Sequence, residues 1–378
     1  MVITFIIDSY DETSNGIATS TKRFAKKLYE MGHDIQIVAA SAKSDPHIKS
    51  YNLGVSKVPI LYQVSLSQGF TFAKCNKKEI EEAIKKSDIV HCLIPFKIER
   101  YAKKICDKYH IPSSAAFHLQ PENITSTIHL AKYEAINKYV YRKFRKFYNK
   151  FGHIHCPSNM IKEQLLENGY TSHMHVISNG VCESFVKKDV KKKPEWEGKF
   201  VILMIARLSE EKRQDLIIDA VRHSRHEPDI QIVFAGKGPL RNHLEKYAEG
   251  LTNKVSFGFY QESDLIDIIN MSDLYVHASD AEIEAIGCME AFTCGVVPVI
   301  SDSKLSATNQ FALDDLNLFR HGNYLSLRDK IDYWFENRAH LATRGEEYLE
   351  YAKQYSINNT AKELEKMFYE AIKDSKKR

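Results

Sequence analysis

The sequence predicts an α/β protein made of two doubly wound, parallel-sheet domains. The chain has 378 residues, more than one ordinary hydrophobic core accommodates, which favours two domains of about 150 to 200 residues each. In both halves, short apolar runs rich in β-branched residues alternate with segments of helical periodicity. Residues 186–198 are charged, contain a proline and have little to bury, so we interpret them as a linker between domains at 1–185 and 199–357.

The first half opens with a strand, a loop and a helix. The apolar run at 2–8 has no basic residue before it and ends at Asp8, so we expect a buried strand and not a signal peptide. A polar loop ending in Asn15-Gly16 precedes a helical pattern at 17–31. A glycine here lets the backbone approach a phosphate or a sugar, which makes Gly16 a candidate binding residue.

His118 is the second candidate in this half. Further strands are expected at 35–40, 88–94, 113–119, 153–158 and 173–178. His118 falls at the C-terminal end of the 113–119 strand, and ligands of open α/β sheets bind beyond that end. A lone histidine at such a place is more often structural, so its position relative to the other elements carries the assignment.

Residues 132–151 combine an apolar stripe with basic side chains. The stripe recurs at helical spacing and comprises Ile136, Val140, Phe144, Phe147 and Phe151. The basic side chains between them are Lys138, Arg142, Lys143, Arg145, Lys146 and Lys150. This composition is typical of a helix on an anionic membrane, but it also fits a helix whose stripe faces the domain core. No recognised nucleic-acid motif accompanies the charge, so we expect no nucleic-acid partner.

The second half repeats the alternation. Strands are expected at 200–207, 230–236, 254–259, 274–277 and 296–300, and helices at 215–224, 240–249, 263–271 and 286–294. Arg207 ends the first of these strands and Lys212 follows it, and two fixed cations at a strand terminus can hold a diphosphate. Gly236 begins a tight turn after the second strand. Alone, Arg207 and Lys212 would be ordinary surface residues.

Residues 273–300 give the strongest local signal, a strand, a loop, a helix and a strand. Glu282 lies in the loop and Glu290 in the helix, either side of a helix N-terminus whose free N–H groups attract anions. Phosphates suit the N–H groups, and vicinal hydroxyls suit carboxylates that accept two hydrogen bonds. The arrangement fits a sugar nucleotide, while the alternative is a solvated acidic loop before a core helix.

Together these residues resemble the retaining glycosyltransferases of family 4, which have the GT-B architecture of two Rossmann-like domains facing a cleft. The matching pieces are Asn15-Gly16, Phe117-His118, the NGV at 179–181, the ARLSEEK at 206–212, the FAGKGPL at 234–240, and the pair Glu282 and Glu290. Each piece is weak alone, but their order and spacing are specific and span essentially the whole chain. Within the family, the chain looks most like bacterial diacylglycerol and other lipid glucosyltransferases.

The resemblance implies roles for individual residues. Arg207 and Lys212 would grip the diphosphate, Glu290 the ribose hydroxyls and Glu282 the hydroxyls of the transferred sugar. Gly16 would approach the phosphates and His118 the sugar. The implied catalytic residues are His118, Arg207, Lys212 and Glu282, and the implied nucleotide-sugar contacts are Gly16, Arg207, Lys212, Gly236, Glu282, Ala285, Ile286 and Glu290. A last helix at about 358–378 would cross back to the N-terminal domain.

The chain departs from the family pattern at two positions. The family usually has a glycine after the lysine of the Arg…Lys motif, where this chain has Arg213. Many members have Phe-Gly after the first glutamate of the acidic pair, where this chain has Glu284-Ala285, with a glycine later at Gly287.

We therefore expect a retaining glycosyltransferase that moves a hexose from UDP-glucose or UDP-galactose to a membrane lipid hydroxyl, such as that of diacylglycerol or ceramide, giving an α-glycolipid. The sequence has no acidic cluster at a strand end of the kind that would hold a metal-bound diphosphate. We therefore expect neither a metal nor another cofactor. The seven cysteines are scattered without a CxxC, which fits the cytoplasm and argues against a structural zinc site. The expected location is the inner face of the cell membrane.

Two alternatives stay open at this point. One is transfer to a polysaccharide or another soluble glycan, and the other is a non-catalytic protein that binds sugar nucleotides. A nicotinamide dehydrogenase is disfavoured, because GKGPLR at 236–241 lacks the third glycine of GxGxxG and neither first strand leads into that motif.

Overall fold

The computed structural model describes residues 1–12, 16–43, 45–57, 70–126 and 133–377. The chain divides into two compact units. The first comprises Met1–Gly180 together with Ile357–Arg378, and the second comprises Val181–Ser356.

The first unit is a parallel sheet flanked by helices. Its strands are β1 (Val2–Ile6), β2 (Asp34–Ala39), β3 (Lys49–Asn52), β4 (Ile89–Cys92), β5 (Ser113–Ala116), β6 (His153–Cys156) and β7 (His173–Val176). Its helices before the second unit are α1 (Gly16–Glu30), α2 (Lys77–Lys85), α3 (Lys97–Tyr109), α4 (Pro121–Ser126), α5 (Glu134–Tyr148) and α6 (Asn159–Glu167). The strand order is β3-β2-β1-β4-β5-β6-β7, so the winding reverses between β1 and β4.

The second unit is also a doubly wound parallel sheet. Its strands are β8 (Phe200–Ile205), β9 (Ile230–Ala235), β10 (Ser256–Gly258), β11 (Leu274–His277), β12 (Ala281–Glu282), β13 (Val297–Ser301), β14 (Leu305–Ser306) and β15 (Leu318–Phe319). Its helices are α7 (Gln214–Arg222), α8 (Arg241–Tyr247), α9 (Glu262–Asn270), α10 (Ile286–Thr293), α11 (Tyr324–Glu336) and α12 (Arg338–Ala352). The main sheet has the order β10-β9-β8-β11-β13-β15, while β12 pairs with β14 outside it.

Both sheets confirm the predicted fold class, and the second shows why the prediction works. β8, β9 and β11 are apolar runs that the sheet buries on both faces, as strands covered by helices must be. Winding reverses between β8 and β11, and a crevice opens outside the strand ends at such a reversal. The second unit therefore offers a ligand site at the C-terminal ends of β8 and β11.

The last helix, α13 (Ile357–Ser375), belongs to the first unit. Its apolar face, including Leu364, Met367 and Phe368, joins the core formed by β1, β2 and α1. His33 bonds Glu365 of this helix at 2.8 Å. The helix thus completes the core of the unit that is distant from it in sequence.

The region that we interpreted as a linker has a different structure. Residues 186–198 lie inside the second unit, which begins at Val181. The reason is Trp196, which is 1% exposed and packs in that unit's core in a short 3-10 turn after Pro194. We predicted a linker because most residues of the segment are charged, and its one large apolar residue, Trp196, did not change that prediction. In the described part of the chain, no helix is both long and apolar enough to span a bilayer.

Candidate active site

Arg207 lies two residues beyond β8, at the predicted crevice. Its Nη2 donates to Oε1 of Glu211 at 2.7 Å, and the hydroxyl of Ser209 donates to the same oxygen at 2.7 Å. Burial disfavours the charged form of Glu211, but Lys212 and Arg207 outweigh burial and lower the pKa of Glu211. Gln214 donates to the Arg207 carbonyl at 2.9 Å. The guanidinium is therefore oriented by a carboxylate and by the loop that carries it.

Lys212 and Glu282 form an ion pair at the same end of the sheet. The ammonium Nζ contacts Oε1 of Glu282, with side-chain exposures of 12% and 15%. His277, the last residue of β11, places Nε2 3.5 Å from the same carboxylate oxygen. Burial alone would raise the pKa of Glu282, but Lys212 and His277 lower the pKa to about 2. Glu282 is therefore ionised at neutral pH and acts purely as a hydrogen-bond acceptor.

Two glycines let the neighbouring loops meet. A Cβ at Gly236 would lie 1.9 Å from the Ala206 carbonyl oxygen, and one at Gly238 would lie 2.2 Å from the Leu208 carbonyl oxygen. Leu208 N–H donates to the Lys237 carbonyl at 3.0 Å, so the two loops are joined through their backbones. Gly236 is thus required for the floor of the site, because any side chain there would displace the loop that holds Arg207.

α10 begins against the end of β8. A Cβ at Gly287 would lie 2.8 Å from the Ile205 carbonyl oxygen, so only glycine permits this approach. The N–H groups of Ile286 and Gly287 belong to the first turn and have no acceptor within the helix. Glu290, one turn later, is 5% exposed. An anion-attracting helix start thus lies beside the two cations and the carboxylate.

Both departures from the family pattern fall in left-handed backbone. Arg213 has φ 54° and Ala285 has φ 62°, a region that favours glycine. The structure explains why a glycine is usual at each position. Arg213 is held by Asp215, which accepts from its Nη2 at 2.9 Å. Ala285 is 8% exposed and has the left-handed conformation although it carries a Cβ.

We expect Ala285→Gly to raise the free energy of unfolding by about 0.5 to 1 kcal/mol, because glycine removes the Cβ strain at positive φ. Urea unfolding followed by tryptophan fluorescence measures this, since Trp196 and Trp334 both lie in the second unit. Ala291→Gly in the middle of the same helix is the control and should lower stability by about 1 kcal/mol or more. Equal losses in both variants would contradict the strain.

The predicted residues of the first unit, Gly16 and His118, lie apart from this cluster in sequence. Gly16 is the exposed first residue of α1, and Asn15 lies outside the described residues. His118 follows β5 by two residues and is buried, with its ring 5.0 Å from that of His155 in edge-to-face contact. Burial, and then His155 and His91, lower the pKa of His118 well below its usual range, so it is neutral.

The basic segment forms α5, and its apolar stripe faces inward. Phe144, Phe147 and Phe151 are buried in the domain core, whereas Ile136 and Val140, nearer the start of the helix, are half-buried. Arg145 also turns away from solvent, because its Nη1 donates to the Asn168 carbonyl at 2.8 Å. The remaining five basic side chains are exposed: Lys138, Arg142, Lys143, Lys146 and Lys150. Tyr139, 51% exposed, lies among them.

Sequence reasoning missed several residues of consequence. Glu211 and His277 orient Arg207 and Glu282, and their positions beside predicted site residues were the available signal. In the first unit, Asp8 lies just beyond β1 and Glu99 lies in the first turn of α3, and both are buried at that sheet's own reversal. Ninety residues separate this carboxyl pair, so no local pattern indicates it.

Comparisons with known proteins agree with the geometry. A family model described as Glycosyltransferase Family 4 matches residues 14–185, and one described as Glycosyl transferases group 1 matches residues 186–356. The alpha-monoglucosyldiacylglycerol synthase of Streptococcus pneumoniae is 24% identical over 318 residues, covering 80% of this chain and 71% of the relative.

Solved structures are also similar. Anabaena Alr3699/HepE in complex with UDP-glucose matches with a TM-score of 0.75 at 17% identity, covering 98% of this chain and all of that one. The catalytic domain of the Helicobacter pylori cholesterol-alpha-glucosyltransferase is 43% identical, covers 42% of this chain and 99% of that chain, and has a TM-score of 0.41.

Proposed function

The chain belongs to the GT-B glycosyltransferases, with a family 4 domain followed by a group 1 domain, and from that premise we propose that it transfers a hexose from a UDP-sugar to a membrane lipid hydroxyl. It is a hexosyltransferase. We further propose retention of configuration, which gives an α-glycolipid.

The main support for a donor site is the pairing of Lys212 with Glu282 beside Arg207 and the start of α10. A nucleoside-diphosphate sugar combines two phosphates with vicinal hydroxyls, and this site combines two cations with the ionised carboxylate of Glu282 and the side chain of Glu290. In the proposed complex, Lys212 shifts its contact toward the diphosphate, while Glu282 accepts from sugar hydroxyls and Glu290 from the ribose. The N–H groups of Ile286 and Gly287 add a partial positive charge.

The proposed chemistry needs the two cations most at the moment of bond breaking. The acceptor oxygen attacks the anomeric carbon from the face that the diphosphate leaves, and the bond from that carbon to the phosphate oxygen breaks. The hydroxyl proton passes to that phosphate oxygen. Negative charge grows on the diphosphate, and in this proposal Arg207 and Lys212, once it has shifted from Glu282, stabilise that charge. Gly16 and His118 stay predicted contacts of the phosphates and the sugar.

The proposal of a lipid acceptor rests on the streptococcal relative and on the exposed face of α5. That relative is named as the synthase of a monoglucosylated diacylglycerol. The exposed basic side chains of α5 with Tyr139 would attract anionic lipid headgroups and insert an amphipathic ring at the interface. Peripheral attachment of this kind presents a lipid hydroxyl without a membrane span.

The test is mass spectrometry of products after incubation with UDP-glucose, UDP-galactose or GDP-mannose and vesicles that contain a diacylglycerol, a ceramide or a sterol. We expect one donor to give a hexosyl-lipid, and Glu290→Gln to abolish it. If the donor is consumed but the product forms only on added soluble glycans, the acceptor is a soluble glycan and not a lipid. No consumption of any donor would overturn the proposed function.

We expect Arg142→Ala/Lys146→Ala to weaken binding to anionic vesicles by about 30-fold, because each basic residue near the surface contributes about 1 kcal/mol. Vesicle sedimentation at low salt measures this binding. The control is Lys362→Ala/Lys366→Ala, an exposed pair with the same spacing on α13. Equal losses in the two double variants would show that general charge, and not this face, attracts the protein. High salt should suppress binding by both.

A further inference from the structure

Three histidines and a glutamate converge at one edge of the first unit. In the part of the chain that the structure describes, potential ligand atoms of His153, His173, His175 and Glu370 all lie within 4.8 Å of one another. The rings of His173 and His175 are 4.3 Å apart, and Nδ1 of His153 lies 2.9 Å from Nε2 of His175. This group is not among the residues that the donor site uses.

The sheet register produces the cluster. His173 and His175 alternate along β7, so their side chains emerge on the same face. His153 of β6 is the direct neighbour of His173 in the parallel ladder. α13 covers β6 on that face and contributes Glu370, while Asp374 follows one turn later. Two strands and a helix distant in sequence thus supply the four groups.

The geometry is close to that of a metal centre. Two ligands of a tetrahedral zinc ion, each at about 2.0 to 2.1 Å, lie roughly 3.4 Å apart. The ligand atoms here lie from 2.9 Å to at most 4.8 Å apart, so small movements of the side chains accommodate the ion. Metal-bound histidines usually donate their other ring N–H to a carboxylate. Nε2 of His153 lies 3.4 Å from Oδ2 of Asp374, which supplies that partner. His153, His173 and Asp374 also line a surface cavity of about 570 Å³, which gives the ion a route of entry.

We propose that His153, His173, His175 and Glu370 bind a zinc-type divalent transition metal that fastens α13 to β6 and β7. Imidazole nitrogens and one carboxylate suit zinc, whereas magnesium prefers oxygen ligands. The site is structural and takes no part in glycosyl transfer, so it stands independently of the proposed function. Bound metal joins the C-terminal helix to the edge strands of the sheet.

The experiment is a zinc titration of chelator-treated full-length protein against a chromogenic zinc indicator. We expect one equivalent to bind tightly, and His173→Ala and Glu370→Gln to weaken it by at least ten- to a hundredfold, since even loss of an outer-shell partner has that effect. His173 is exposed, so its removal leaves the core intact. His243→Ala, an exposed histidine of the second unit, is the matched control and should bind zinc as the unchanged protein does.

Hydrogen exchange supplies the structural readout. Zinc should slow exchange in the last turns of α13 and in β7, whereas magnesium at the same concentration should not. Absence of a tight equivalent would overturn the proposal. Equal affinity in His173→Ala, Glu370→Gln and the control would do the same, because zinc would then bind elsewhere.

Discussion

Lys212→Ala should lower kcat by about 10²- to 10³-fold, which is the usual effect of removing one preorganised contact to charge that develops in a transition state. The expected loss in UDP affinity is much smaller, about tenfold or less, because the ground-state diphosphate keeps Arg207 and the N–H groups of α10. The side chain of Lys212 is 12% exposed, so its charge acts through a medium far less polarisable than water.

The ion pair with Glu282 complicates this variant, and a second substitution separates the two effects. Removing Lys212 also leaves a buried carboxylate without its cation. Glu282→Gln removes the carboxylate charge but keeps Lys212, so it should impair sugar binding while retaining charge stabilisation of the leaving group. Steady-state kinetics with calorimetric UDP binding measures both variants. Lys254→Ala, an exposed lysine before β10 at the opposite end of the sheet, is the control.

Two outcomes would contradict the transition-state role of Lys212. Equal losses in kcat and UDP affinity would make Lys212 a ground-state binding residue. Identical kinetic profiles for Lys212→Ala and Glu282→Gln would show that Lys212 acts only by holding the carboxylate in place.

Much of the donor site could be predicted because each of its residues lies next to a recognisable strand. Arg207 and Lys212 follow one apolar run, and Glu282 follows another, so βα alternation alone brings them to the same edge of a sheet. Their pairing could not be predicted. The contact of Lys212 with Glu282 depends on which strands are neighbours, and the reversal between β8 and β11 decides that.

Other features depend on tertiary structure that the sequence does not display. The aromatic stripe of α5 is compatible with a membrane or a core, and only the burial of Phe144 and Phe147 in the folded unit assigns them to the core. The absence of a CxxC argued against structural zinc, but the histidine cluster draws on β6, β7 and α13 and has no sequential motif. Contacts between residues that are distant in sequence produce both the burial of the stripe and the histidine cluster.

We expect the stability of the first unit to fall as pH rises, because Asp8 and Glu99 are buried together. Burial raises the pKa of Asp8 to about 7, against the hydrogen bond from Ala73 N–H at 2.6 Å that favours its charged form. Burial, and then the charge of Asp8, raise the pKa of Glu99 well above its usual range. The folded unit therefore retains protons that the unfolded chain releases near pH 4.

The sign of the pH dependence follows from that difference in bound protons. Below about pH 4 both states are protonated and Asp8 has no effect, and from there to pH 7 each pH unit removes about 1.4 kcal/mol of stability. The full loss is at most about 4 kcal/mol, of which about 2 kcal/mol falls between pH 5.5 and pH 8. Ionisation of Glu99 in the unfolded chain acts in the same direction.

Asp8→Asn should remove about 2 kcal/mol of the stability change between pH 5.5 and pH 8, because asparagine still accepts from Ala73 N–H but never ionises. The contribution of Glu99, whose burial also raises its pKa, stays in this variant. Urea unfolding followed by far-UV circular dichroism at pH 5.5 and pH 8 reports the secondary structure of both units, so the part of the transition that tryptophan fluorescence does not report belongs to the first unit. Tryptophan fluorescence in the same samples follows the second unit, whose transition Asp8→Asn should leave unchanged. Asp34→Asn, at an exposed position that begins β2, should keep the slope of the unchanged protein. If Asp8→Asn also keeps it, Asp8 holds no extra proton in the folded unit and the pH dependence of the first unit arises from other groups.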